Sequence, residues 1–122
     1  MRNLTHKGTT TMITTFADTS VRILKETRDW LSDPEHWCQH TICLPRAEDT
    51  EVVGNKRFRE LLKNAKQTCL LGALEKFGGK LVVSVMISRA ANDLYGLQPV
   101  KVNDQLGYEA VLKVLDLAIQ RS

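Results

Sequence analysis

No stretch of this sequence approaches the roughly 20 consecutive apolar residues that a bilayer-crossing helix needs. Its most apolar run, Leu81 to Ile87, is already broken by Ser84, so no membrane span is expected. Arg2 and Lys7 have no apolar segment behind them, which leaves out a secretory signal and makes a cytoplasmic location the default. Cysteine is scarce: there are 3, at Cys38, Cys43 and Cys69. An odd number in a chain able to build its own core argues against a disulfide framework and for reduced thiols, which usually pack as small hydrophobes. A phosphate-cradling glycine loop, a nucleophile elbow, a metalloprotease helix and a dinucleotide fingerprint are all missing. Those absences remove the best-marked enzyme classes. Nor is there a large excess of one charge: a net +3 is too small for a dedicated nucleic-acid coat.

What is present suffices to fold. A chain of 122 residues, 43% hydrophobic and 25% charged, has the size and balance of one globular domain. The pattern reads as all-α: a compact domain of four to five helices over residues 16–122, behind a disordered, flexible tail over 1–15. The tail is rich in threonine, with Gly8 and little to bury, and so cannot offset its ordering entropy. Translation could start at Met1 or at Met12 without loss to the fold.

The first helix should begin at Asp18, Thr19 or Ser20, residues that cap well, and run through Val21, Ile23, Leu24, Arg28, Trp30 and Leu31. Pro34 ends it. Residues 34–54 lack a period, carry Pro45, Gly54 and the acids Glu48, Asp49 and Glu51, and read as a long connection. Asn55 can cap a second helix with Phe58, Leu61, Leu62 and Ala65 on one face. A third carries Leu70, Ala73, Leu74 and Phe77 and ends at Gly78 and Gly79. The stripe Leu62, Ala65, Cys69 and Ala73 is continuous, so one bent helix is an alternative to two. Residues 80–95 suit a strand or a helix, and their length favours the helix. The final helix has the cleanest face, Tyr108, Val111, Leu112, Leu115, Ala118 and Ile119, with Lys113, Asp116 and Gln120 turned away.

Few residues carry recognisable chemistry. His36, Cys38, His40 and Cys43 are zinc-ligand types, but four candidates crowded into eight residues lack the paired spacing of structural sites, and no metal or other cofactor is expected. Cys69 sits where a helix should start, and the helix dipole there would lower its thiol pKa. A nucleophile also needs a base: His36 or His40 could serve, oriented by Asn103 or Asp104, against the plain alternative of a core cysteine. Lys56, Arg59, Lys63 and Lys66 fall at three- and four-residue steps and form a basic stripe able to meet phosphates or an acidic protein surface. An ordinary solvated helix face is the competing explanation. No aromatic residue lies in the stripe, so base stacking is not indicated. Asn103 and Asp104 read first as a cap or Asx turn for the final helix, and Asn92 and Asp93 as a solvated helix face.

Trp37, Cys38 and Gln39, the run Cys69 to Leu74 (Cys-Leu-Leu-Gly-Ala-Leu) and the Asn103-Asp104 pair before the last helix together resemble a family of small uncharacterised bacterial and phage-encoded domains. The likeness covers about residues 18–120. It implies an all-helical unit with a shared polar cluster of Trp37, Gln39, Cys69, Asn103 and Asp104, and transfers no activity. The basic insert of residues 48–66 and the threonine-rich tail depart from the pattern. In a structural role, Gln39, Asn103 and Asp104 would cross-link the long connection to the last helix under Trp37, with Gly72 and Ala73 allowing close helix approach. The leading functional expectation is an interaction or regulatory module of bacterial or phage origin that contacts a protein or nucleic-acid partner through the basic stripe. Its rivals are an enzyme or small-ligand-binding domain centred on Cys69, and a nucleic-acid-binding accessory protein using residues 55–66.

Overall fold

A computed structural model describes residues 19–44 and 56–122. The expectations for the N-terminal tail, Met12, Asp18, Pro45, Glu48, Asp49, Glu51, Gly54 and Asn55 fall outside these residues, as do the side chains of residues 56–58.

Helix α1 spans residues 19–31 and buries Ile23, Leu24, Thr27 and Leu31, one side of a 3.6-residue period. It ends where expected. Asp33 caps a following 3-10 turn, Pro34–His36, by accepting from the Glu35 amide at 2.9 Å, with Pro34 at the first position, where its missing N–H costs nothing.

Residues 37–44, the described part of the connection after this turn, are more ordered than their composition suggests. Trp37 forms a bridge with Thr68, and strand β1, Cys43–Leu44, pairs antiparallel with β2, Gln67–Thr68, in the register Cys43 to Thr68 and Leu44 to Gln67. Cys38 N donates to Thr68 O at 3.0 Å, Cys69 N to Ile42 O at 3.1 Å and Lys66 N to Leu44 O at 2.9 Å. Residues 66–69 are thus held between two stretches of the connection, each satisfying backbone groups that burial would otherwise leave unpaired.

This pairing also settles the bent-helix alternative. Helix α2, Lys56–Lys63, stops before β2, and helix α3, Leu70–Lys76, starts after it. The Lys76 ammonium donates to the carbonyls of Leu62 (3.1 Å) and Lys63 (2.7 Å) at the C-terminal end of α2, where Leu62 O also accepts from Ala65 N. It also stands 4.5 Å from the Trp30 ring centroid. Lys66 consequently lies in the turn beyond α2, so the basic stripe does not run along one helix as its spacing suggested.

Helix α4, Leu81–Tyr95, resolves the ambiguous segment as helix, with Val83, Ile87, Ala90 and Ala91 buried. A further, short helix, α5, Pro99–Lys101, runs into a π-helical turn, Val102–Leu106, which the sequence did not indicate. Gly107, at φ 101° and ψ −170°, a conformation open essentially to glycine alone, then redirects the chain into α6, Tyr108–Arg121. No side chain caps α6, which corrects the expectation that Asn103 or Asp104 would do so.

Helix α6 buries Ala110, Val111, Val114, Leu115 and Ala118 against α4 and α1, forming one core that takes in Leu70, Ala73 and Leu74 of α3. Val114 belongs to the buried face, whereas Leu112 and Ile119 sit at its margin. A smaller cluster of Cys43, Leu62 and Ala65 lies under α2. Arg28 meets Asp116 at 2.7 Å and Arg121 meets Asp93 at 2.7 Å; these exposed braces add little stability each. Among the described residues the architecture is largely all-α, with the two-stranded ladder and the Trp37–Thr68 bridge as its departures. Among the described residues no helix is long and apolar enough to cross a membrane.

Candidate functional site: a pocket beside a polar knot

The π-helical turn buries Asn103, which is 1% exposed. Its amide oxygen accepts from Trp37 Nε1 at 2.7 Å and from the Leu70 amide at 3.0 Å. Its amide nitrogen donates to Cys38 O at 3.1 Å and to Asp104 Oδ1 at 3.0 Å. Two lone pairs and two hydrogens are the whole capacity of a carboxamide, so Asn103 is saturated. The Leu70 N–H is one of the free donors of a helix first turn. Asn103 therefore caps α3 from a distant part of the chain instead of capping α6.

Gln39 and Asp104 complete the knot. Gln39 Nε2 donates to Asn103 O at 3.1 Å and to Asp104 O at 3.4 Å, and His40 N donates to Asp104 Oδ1 at 2.9 Å. His40 holds a left-handed backbone at φ 66°, and its anchored N–H helps to fix it there. Burial would raise the Asp104 pKa, but the hydrogen bonds from His40 and Asn103 and the nearby imidazole outweigh it and hold the carboxyl below its ordinary value. Trp37 covers the knot, its ring 5.5 Å from that of Tyr108. Trp37, Gln39, Asn103 and Asp104 are thus joined by hydrogen bonds, and Cys69 lies at their edge.

A pocket of about 240 Å³ opens on that edge, lined by His40, Thr41, Ile42, Cys69, Leu71, Val100, Asn103 and Asp104. The sequence singled out His40, Cys69, Asn103 and Asp104. It missed the apolar wall of Ile42, Leu71 and Val100, for which no spacing signal exists, because the three come from three separate elements. Cys69 is the N-cap residue of α3, and its sulfur accepts from Gly72 N at 3.4 Å. Burial is nevertheless the largest influence and raises the thiol pKa; the amides of Gly72, Leu71 and Cys69 pull it down without reversing the sign, and the Asp104 charge raises it further. This corrects the expectation of a thiol activated by the helix dipole. Desolvation of the thiolate is the stronger effect here.

The four zinc-type residues do not act together. His36 stacks on Trp30, with centroids 3.7 Å apart, and its Nδ1 lies 2.7 Å from Trp30 O, which keeps it occupied outside the pocket. Of the two candidate bases, His40 is the one beside Cys69, with its Nδ1 3.9 Å from Asp104 Oδ2. Cys43 belongs to the small cluster under α2, and Cys38 Sγ donates to Thr41 O at 3.6 Å. Among the described residues no three of His, Cys, Asp and Glu converge as a metal site. Arg59, Lys63 and Lys66 are each exposed to solvent, and none of them lines the pocket. Asn92 and Asp93 are exposed on α4, where Asp93 pairs with Arg121.

Burial, followed by the Cys69, Cys43 and Asp104 charges, pushes the Cys38 thiol from 9.0 up to about 12. A pKa raised in the folded state means that the native protein keeps a proton the unfolded chain releases. The stabilisation is complete below the unfolded value and is lost as pH rises through the folded one. Urea titrations are therefore expected to show Cys38 contributing a fall of up to about 1.4 kcal/mol per pH unit in that alkaline range. Cys38→Ser should flatten this slope, and an unchanged slope would contradict the assignment.

A comparison of the chain with family models, curated proteins and solved structures finds no match in any of the three.

Proposed function

We propose that this chain is a binding module that receives a small molecule in the pocket at Cys69. The observation that carries this reading is the convergence of an apolar wall, Ile42, Leu71 and Val100, with the polar groups of Cys69, His40 and Asp104 in one cavity. Small-molecule sites typically combine a mostly apolar lining with a few placed polar groups. The wall comes from three elements whose relative positions the Asn103 knot holds, so the cavity is preformed. The raised Cys69 pKa favours binding over nucleophilic chemistry, since a protonated thiol attacks poorly. A regulatory role fits this arrangement, because an occupant would touch the segment leading into β1, α3 and α5 at once.

The exposed cations Arg59, Lys63 and Lys66 support a second reading, a contact with an acidic or phosphate-bearing partner. They are divided between a helix and the turn after it, which makes this the weaker of the two.

A screen of small fragments by amide NMR on the full chain tests the pocket. Saturable shifts are expected at Thr41, Ile42, Cys69 and Leu71. Val100→Trp, at a half-exposed rim position, should abolish them with little change in melting temperature, because the new ring occupies the opening. Hits that shift only other regions would overturn the proposal.

A further inference from the structure

The polar inventory of the pocket narrows the class of its occupant, an inference that rests on the binding reading above. Asn103 has no remaining hydrogen-bond capacity. The Thr41 hydroxyl is 3.4 Å from Cys43 O, to which it donates, and the His40 amide is taken by Asp104 Oδ1. Asp104 Oδ1 already accepts twice, from His40 N and Asn103 Nδ2. Asp104 Oδ2 differs: the imidazole nitrogen His40 Nδ1 is 3.9 Å away, beyond hydrogen-bond length, and the His40 ring is 70% exposed. Oδ2 therefore has acceptor capacity left in a cavity that also carries the apolar wall of Ile42, Leu71 and Val100.

The Asp104 side chain is only 27% exposed, so its charge is less screened than that of a surface carboxylate. A ligand anion would be repelled there, and a neutral ligand would gain an ordinary hydrogen bond. A ligand ammonium would gain a charge-assisted one. The volume of about 240 Å³ falls below the roughly 300–1,000 Å³ of pockets for drug-sized ligands, which limits the occupant to a small skeleton. We infer that the pocket takes a small aliphatic amine, its ammonium on Asp104 Oδ2 and its hydrocarbon body against Ile42, Leu71 and Val100.

Three probes with one carbon skeleton test this in the full chain: 3-methylbutylamine, 3-methylbutanol and 3-methylbutanoate, each titrated while the amides of Thr41, Ile42, Cys69 and Leu71 are followed by NMR. The amine is expected to bind at least tenfold more tightly than the alcohol, and the acid to give no saturable shift. Alcohol or acid binding as tight as the amine overturns the amine assignment and leaves the pocket reading standing. No response from any of the three, with other fragments shifting the same amides, also overturns the amine assignment alone; silence to every fragment removes both. Asp104→Asn retains an acceptor for His40 N and should bring amine and alcohol within twofold of each other, whereas a retained tenfold preference overturns the inference. Should that variant fail to fold, the three-probe series on the unaltered chain decides.

Discussion

Asn103→Ala is expected to lower the unfolding free energy by about 3–5 kcal/mol, read from urea melts at neutral pH. The deletion strands three groups at once: the Trp37 indole N–H, the Leu70 amide and the Cys38 carbonyl. Each buried group left without a partner costs about 1–3 kcal/mol, and the small cavity left by the side chain adds to this. The loss should reach beyond stability, because α3 loses a cap and the connection around Cys38 loses its tie to the π-helical turn. Asn103→Asp tests the same knot differently. It keeps the acceptor for Trp37 and Leu70, removes both donors and sets a second carboxylate against Asp104 Oδ1, so its deficit should shrink as pH falls and the carboxyl pair takes up a proton. A cost below about 1 kcal/mol for Asn103→Ala would show that the knot is not a structural centre.

Gly72→Ala should destabilise by about 2–4 kcal/mol, opposite in sign to what helix propensity dictates. Within a helix, alanine is preferred over glycine by about 1 kcal/mol. Here a Cβ would run into the carbonyl oxygen of Ile42, well inside any normal contact distance. Neither side can yield cheaply. Ile42 O is already held by the Cys69 amide at 3.1 Å, and the next turn of α3 is buried through Ala73 and Leu74. Gly72 thus admits a strand-like segment against α3, where the sequence suggested that it admitted another helix. Thermal melts of Gly72→Ala against an exposed control, Glu75→Ala, separate the steric cost from propensity. A stabilised Gly72→Ala would disprove the close approach.

The pattern that was legible came from residues whose role depends on their immediate neighbours. Leu24 and Leu31, Leu70, Ala73 and Leu74, and Val111, Leu115 and Ala118 are buried because helical periodicity puts each set on one face, and amphipathic spacing is a local property. The stop at Pro34 and the turn at Gly78 were legible for the same reason: each follows from the conformational preferences of single residues. The π-helical turn was not, since five residues such as Val102 to Leu106 have no composition that marks them as such. The two-residue strands were equally silent, because Gln67–Thr68 is extended only through its hydrogen bonds to Cys43–Leu44 and Cys38.

The candidate site divides along the same line. Trp37, Gln39, Cys69, Asn103 and Asp104 could be named as a group before any coordinates, but the task each performs could not. Asn103 looked like a cap for the helix that follows it and instead caps one that precedes it by some 30 residues of chain. Cys69 looked activated, because a helix start is visible in sequence and the desolvation that outweighs it is not. By itself the sequence determined an all-α domain and the faces of its main helices, consequences of local spacing, while the short list of polar residues was grouped by what the resemblance implied. Only the tertiary structure decided that these polar residues gather around a saturated Asn103, with a small pocket beside them and an Asp104 oxygen still available. Hydrogen-bond saturation, burial and cavity shape depend on which distant segments meet, and that is information no local pattern holds.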